Sequence, residues 1–217
     1  MKFDQAIIDN LKQQLAKPLP DESIRYRMAP SYRPRLTQEQ VKGLNPRISA
    51  VLILLYEKGG LLQTVFIRRT AYDGVHSAQI SFPGGKRDEM DSDLVVTALR
   101  EANEELGVLP ERVEVLGQLN ELYIPPSNFL VYPSIGYTKQ APDFIANEYE
   151  VEEVIEIPLS FFLNADNINL QTEIELQNGV KVKVPAFIYK GNVIWGATAI
   201  LLSEFSYLLE QALEQSN

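Results

Sequence analysis

The stretch from Ser92 to Gly107 constrains this 217-residue chain more than any other. Its second half reads Arg100-Glu101-Ala102-Asn103-Glu104-Glu105-Leu106-Gly107. On a helix at about 100° per residue, Glu101, Glu104 and Glu105 fall within about 100° of one another, and Val95, Leu99, Ala102 and Leu106 gather about 120° away. The spacing predicts a helix over Ser92–Leu106, capped by Ser92 or Asp93 and ended by Gly107. One stripe of it packs inward and another carries three crowded carboxylates. Like charges one turn apart destabilise a helix by roughly 0.2–0.5 kcal/mol per pair, so the cluster calls for outside compensation. A hard divalent cation supplies it, because such ions prefer carboxylate oxygens. Neither histidine nor cysteine lies near enough to suggest zinc. A solvated acidic face has the same raw composition. The full string R-E-x-x-E-E-x-G arises by chance on the order of 10⁻⁶ per starting position, given average residue usage.

What precedes this helix fits the same chemistry. Ser77–Pro83 reads as a strand, and Pro83-Gly84-Gly85 follows it directly. Glycines there let backbone approach a ligand closely. Neither G-x-G-x-x-G nor G-x-x-x-x-G-K-[ST] occurs, so phosphate handling runs through metal rather than a nucleotide loop of those types.

Elsewhere, Phe3, Ile7, Ile8, Leu11 and Leu15 predict an amphipathic opening helix. A proline-rich loop follows, carrying Arg25, Arg27, Arg33 and Arg35, which either wrap the core or face a ligand. Residues 1–40 are thus expected to form a helix and arm packed on a domain spanning 41–217. Ser49–Glu57 and Gln63–Arg69 read as a hairpin, with Lys58-Gly59-Gly60 at the turn. Val113–Leu122 and Phe129–Thr138 read as strands, and Ile155–Leu163 as a short helix. Asn178-Gly179 marks a further hairpin. Ala197–Leu213 reads as a closing helix, with Trp195 expected to pack inward beside it. Helices interleaved with strands and hairpins predict an α/β fold with a mixed sheet.

Net charge is −9, which argues against a duplex nucleic-acid partner. The apolar run Ala50–Tyr56 is far short of the roughly 18 residues that span a bilayer, so no membrane role is expected. There are no cysteines, which excludes disulfides and thiolate chemistry. With no secretory signal in view, a cytoplasmic location is expected. A homodimer is the prior for assembly.

Arg100, Glu101, Ala102, Glu104, Glu105, Gly107 and Val108 resemble the second half of the Nudix box, G-x5-E-x7-R-E-U-x-E-E-x-G-U. The first half departs: after five intervening residues from Gly85, Asp91 stands where the box has glutamate, and the spacing to Arg100 is one residue too long. Arg69-Thr70 and His76-Ser77-Ala78-Gln79-Ile80-Ser81-Phe82-Pro83-Gly84-Gly85 resemble the motif ahead of the box in the coenzyme A pyrophosphatase branch, with Ala78 in place of a glycine. Asn147–Val151, Pro158-Leu159 and Ile194–Ala199 resemble later elements of that branch. The likeness covers roughly residues 50–205.

The resemblance implies an α/β/α sandwich and a metal-dependent pyrophosphohydrolase. It implies that Glu101, Glu104 and Glu105, with the Gly85 carbonyl, hold Mg²⁺ or Mn²⁺, and that Arg100 orients Glu101. Glu150 is the downstream candidate for general base, with a box glutamate as the alternative. Arg69, His76, Gln79 and Ser81 are the candidate contacts to a nucleotide substrate. Coenzyme A or a derivative would yield 3′-phosphoadenosine 5′-phosphate and 4′-phosphopantetheine. ADP-ribose, NADH or another nucleoside diphosphate derivative stands as the alternative substrate, and a catalytically idle ligand sensor as the alternative function.

Overall fold

The structure, a computed structural model, describes residues 3–70, 79–176 and 179–215. The chain opens with helices α1 (Gln5–Leu15), α2 (Glu22–Tyr26) and α3 (Gln38–Gly43). Strands β1 (Arg47–Lys58), β2 (Leu61–Arg69), β3 (Ile80–Ser81) and β4 (Gly84–Lys86) lead to helix α4 (Leu94–Leu106). Strands β5 (Glu114–Gln118), β6 (Leu122–Ile124), β7 (Phe129–Thr138) and β8 (Val151–Pro158) follow. Strands β9 (Ile168–Glu175), β10 (Lys181–Tyr189) and β11 (Asn192–Trp195) then precede the closing helix α5 (Gly196–Glu214).

Period-2 alternation along β1 builds two cores at once. Ile53 and Leu55 point to one face, where they join α1, α5 and the aromatic side chains. Ala50, Leu52, Leu54 and Tyr56 point to the other, where they meet Ala98, Ala102 and Leu106 of α4. Strand β2 repeats the device, with Phe66 in the first core and Val65 and Ile67 in the second. Helices on both faces of one sheet make an α/β/α sandwich. The sheet is mixed: β1 runs parallel to β7 but antiparallel to β2 and β4. A smaller antiparallel sheet, β11-β10-β9, lies apart from it. Among the described residues no helix is long and apolar enough to cross a membrane.

Several expectations are corrected. Residues 155–158, read as the start of a helix, belong to β8, which pairs with β2 from Gln63↔Pro158 to Arg69↔Val151. Its alternation was the stronger signal: Val151, Ile155 and Ile157 are buried, Glu152 and Glu153 exposed. Only Leu159–Phe161 turns, as a single 3-10 turn. The arm is not all loop. Asp21 caps α2, and Thr37 with Gln40 forms a capping box on α3, so short helices form despite the prolines. The single strand read over Val113–Leu122 is two, β5 and β6, both pairing with β7. Strands β9 and β10 pair antiparallel around the expected hairpin, although Asn178 of its turn lies outside the described residues.

The larger core has an aromatic centre. Phe66 is fully buried and lies 4.8 Å from Phe82 and 5.8 Å from Phe162, ring centre to ring centre. Phe66→Ala is expected to lower stability by about 3–5 kcal/mol, through lost transfer energy and the cavity left behind. Urea unfolding with an unchanged slope would carry that result; a loss below 1 kcal/mol would mean the cluster repacks around the gap.

Candidate functional site

Helix α4 begins where Asp93 accepts hydrogen bonds from the Val95 and Val96 amides, both at 2.9 Å. It ends at Gly107, whose φ of 69° is the left-handed conformation that glycine adopts without strain. Its buried residues are Thr97, Ala98, Ala102, Glu105 and Leu106, so the inward stripe is rotated from the expected one. Val95 and Leu99 are only half-buried, and a glutamate takes a place in the core.

That glutamate changes the picture of three equivalent acids. Glu105 is fully buried. Its Oε2 accepts from the Gly84 amide at 2.8 Å, and its Oε1 lies 3.2 Å from Arg69 Nη1. Arg69 also donates to the Gly84 carbonyl at 2.6 Å. Burial pushes the Glu105 carboxyl up to about 7, against the pull of Arg69 and the Gly84 amide; Glu101 and Glu150 push the same way as burial. The glycine is required here. A side chain at Gly84 would overlap the Ala50 carbonyl and Val51, and its φ of 153° disfavours other residues.

Glu101 and Glu104 are organised by Arg100. One guanidinium nitrogen meets Glu101 Oε1 at 2.9 Å and Glu104 Oε2 at 3.0 Å. The opposite edge forks onto Asp91, with Nε–Oδ1 and Nη2–Oδ2 both at 3.0 Å, and Nη2 also donates to the Lys86 carbonyl at 3.1 Å. Arg100 thus pairs with Glu101 and Glu104 in a single geometry. Asp91 is buried and also accepts from Thr97 Oγ1 and the Asp88 amide, each at 2.9 Å. The Arg100 fork holds its carboxyl well below the usual range. Asp91 is the functional residue the linear pattern left without a role. The signal was its place after five residues intervening from Gly85, but nothing in the string says that a shortened acid turns back onto Arg100.

The Glu101 carboxylate lies against Gly85, so closely that a side chain there would overlap it. Burial raises the Glu101 carboxyl, partly offset by Arg100 and reinforced by Glu104 and Glu150. Glu150 is exposed on a turn held to α4: the Asn147 amide donates to the Glu105 carbonyl and the Ile145 amide to that of Leu106, each at 2.9 Å. The Thr70 amide donates to the Glu150 carbonyl at 3.1 Å. Glu101 and Glu105 thus meet the Gly84-Gly85 edge, with Glu104 joined to Glu101 through Arg100 and Glu150 near enough to repel both Glu101 and Glu105. Among the described residues no three such side chains close on one point as a finished cation cage. The donor set still suits a hard divalent ion. It is all oxygen, glycine clears space at its centre, and two of its carboxyls are raised chiefly by burial, with a smaller repulsion from their neighbours that a cation would relieve.

A cavity of about 1030 Å³ lies on the α5 face of the sheet and reaches Gly84, Gly85 and Lys86. Ser49 and Val51 of β1 and Phe129 and Val131 of β7 form its floor. Gln79 and Ser81 line it, and the Ser81 hydroxyl is buried with no hydrogen-bond partner among the described residues. Thr198 of α5 donates to the Ile80 carbonyl at 2.9 Å, fixing that wall. Trp195, expected in the core, is half-buried and faces this cavity instead, because it precedes the first turn of α5. Arg69 lines the cavity as well, with its guanidinium engaged by Glu105 and Gly84. His76 lies outside the described residues.

The NUDIX domain family matches residues 46–166. The chain is 37% identical over 164 residues to "Nudix hydrolase 15, mitochondrial" of Arabidopsis thaliana, an alignment covering 72% of this chain and 56% of that protein. The chain thus spans little more than half the length of that plant relative. It is 34% identical over 164 residues to the "Uncharacterized Nudix hydrolase NudL" of Photorhabdus laumondii, covering 75% of this chain and 84% of the relative. It is 33% identical over 166 residues to the "Mitochondrial coenzyme A diphosphatase NUDT8" of Homo sapiens, covering 76% and 70% respectively.

The buried ion pair generates a stability prediction. Arg69→Met strands the Glu105 carboxylate and is expected to cost about 2 kcal/mol, limited because the carboxyl escapes full charge by taking up a proton. Adding Glu105→Gln should recover most of that loss in urea unfolding with chelator present. Equal losses in the single and double variants would show the pair to be uncoupled.

Proposed function

We propose that this chain, which belongs to the Nudix family, hydrolyses the pyrophosphate bond of coenzyme A or one of its derivatives. The products would be 3′-phosphoadenosine 5′-phosphate and 4′-phosphopantetheine. The observation that carries this reading is the meeting of a carboxylate cluster and a long cavity at one glycine edge, Gly84-Gly85. Cleaving an anhydride between two substituted phosphates needs acidic residues at the bond and room for a group on either side. The cavity supplies the room, and its wall is largely apolar, with Ile124, Pro125, Val193 and Trp195 among its lining. The human relative named as a coenzyme A diphosphatase supports the choice of substrate.

In this reading Glu101, Glu104 and Glu105, with the Gly85 carbonyl, hold Mg²⁺ or Mn²⁺. When bound, such an ion neutralises phosphate oxygens and lowers the pKa of water. The chain's own groups do the rest. Asp91 anchors Arg100, and Arg100 fixes the direction of Glu101 through a charge-assisted hydrogen bond. Glu150, on its turn tied to α4, accepts the proton of the attacking water. The water oxygen forms a bond to phosphorus as the bridging oxygen leaves with the second phosphate. Arg69 holds Glu105 and the loop in place, while Gln79, Ser81 and His76 contact the substrate.

The test is turnover of coenzyme A beside ADP-ribose, NADH and a nucleoside triphosphate, in Mg²⁺ or Mn²⁺, with products resolved by chromatography. Coenzyme A is expected to yield 3′-phosphoadenosine 5′-phosphate fastest. Faster turnover of ADP-ribose or NADH would replace the substrate, and binding without turnover of any would indicate a ligand sensor. Glu104→Gln keeps shape and removes one anionic oxygen, so kcat should fall by about 100-fold or more with unchanged circular dichroism. Retained activity at saturating Mg²⁺ would remove Glu104 from the metal set.

A further inference from the structure

Four cationic side chains stand on the wall of the large cavity: Arg33, Arg68, Arg69 and Lys86. Two are matched by carboxylates. Arg68 pairs with Glu153 at 3.0 Å and donates to Asn192, and Arg69 pairs with Glu105. Lys86 adjoins Gly85, at the end where the acidic cluster lies. Arg33 is at the opposite end and is differently placed. It belongs to the N-terminal arm, and one of its nitrogens donates to the carbonyl of Tyr123 on β6. Its Nε is buried with no hydrogen-bond partner, the neighbouring Tyr26 side chain is its favourable polar contact, and among the described residues Arg33 forms no ion pair with a carboxylate. Arg25, its neighbour in the arm, also has a buried Nε without a partner, but it is ion-paired with Glu22 at 2.6 Å and donates to the Glu121 carbonyl at 2.8 Å. A half-buried guanidinium without a counter-ion carries a desolvation cost that a bound anion would offset.

The sheet sets the distance. Gly85 pairs with Ala50, Ala50 with Tyr132, and the neighbouring Leu130 with Tyr123. Three strand spacings and a two-residue offset put Gly85 and Tyr123 roughly 16 Å apart. A ligand lying over Ser49, Val51, Phe129 and Val131 would have its pyrophosphate at the Gly85 end. An anionic group carried toward the other end of such a ligand would meet Arg33, whose side chain spans part of that distance.

Resting on the coenzyme A reading above, we propose that Arg33 is the specificity-determining residue for the phosphate monoester on the ribose of the substrate. The arm thereby becomes part of the substrate site, and nucleotides lacking that phosphate are disfavoured.

The experiment compares coenzyme A with 3′-dephospho-coenzyme A in the wild type and in Arg33→Met and Arg33→Lys. A charge-assisted hydrogen bond to phosphate predicts a preference of about 10- to 100-fold in kcat/KM for coenzyme A in the wild type. In Arg33→Met that preference should collapse toward unity, with coenzyme A losing at least ten times more than the dephospho form; Arg33→Lys should retain part of it. Equal turnover of both substrates by the wild type, or equal losses on both in Arg33→Met, would overturn the proposal and leave the coenzyme A reading standing. Calorimetric binding of 3′-phosphoadenosine 5′-phosphate against 5′-AMP by the wild type and Arg33→Lys reads the same preference even if neither substrate is turned over, with a smaller preference expected in Arg33→Lys. Tighter binding of the bisphosphate is expected, and equal affinities would reject the role of Arg33.

Discussion

The Glu105 carboxylate fastens three parts of the molecule that the backbone alone does not join. It comes from α4, receives the amide of Gly84 in β4, and faces Arg69 at the end of β2. Removing a carboxylate from water is expensive, and it persists in a core only when its oxygens are met by donors. Here one oxygen accepts a main-chain N–H, and the other is ion-paired with a guanidinium that itself donates to the Gly84 carbonyl. Because helix, loop and strand each contribute one party, none can shift without unsatisfying the others. The glycine edge against which Glu101 rests is held by this knot, and the position of the remaining acids follows from it.

Around that fixed point the other acids are graded by exposure. Glu105 is sealed, Glu101 is half-buried against Gly85, and Glu104 and Glu150 are open. Arg100 serves Glu101 and Glu104 from one edge while Asp91 grips the other, so the arginine bridges inner and outer positions. A planar guanidinium suits this because its donors have fixed directions on two sides; an ammonium would supply charge without that geometry.

Much of this was legible in the sequence, for reasons that differ by element. The caps and end of α4 follow from local chemistry, Asp93 before the first turn and Gly107 after the last, and both stand as read. The hairpin of β1 and β2 was visible in apolar runs around Gly59-Gly60. What was not legible depends on partners distant in sequence. Strand β8 looked helical because Pro158 resembles a helix start, and only pairing with β2 reveals it as a strand. The burial of Glu105 could not be inferred from helical angles, since it rests on Arg69, thirty-six positions earlier. Trp195 was assigned to the core by residue type, yet the walls around it leave space beside it. Arg33 stood among four similar arginines, and nothing local distinguishes the one that lines the large cavity.

The walls of the large cavity also carry a consequence for how the molecule is made. The carboxylate face, from β3 through α4, occupies one short stretch of chain, residues 80–106. The cavity beside it is enclosed by the arm near residue 33, the turn after β6 and the segment from 191 to 201. Synthesis proceeds from the N-terminus, and contacts distant in sequence form after local ones. The acidic helix can therefore form while the segment from 191 to 201, the last part of that wall, has yet to leave the ribosome. For that interval the growing chain presents an anion-repelling cleft with no enclosed compartment beside it. Arrival of α5 then both completes the hydrophobic core and shuts the compartment, so that burial and enclosure are reached in one event.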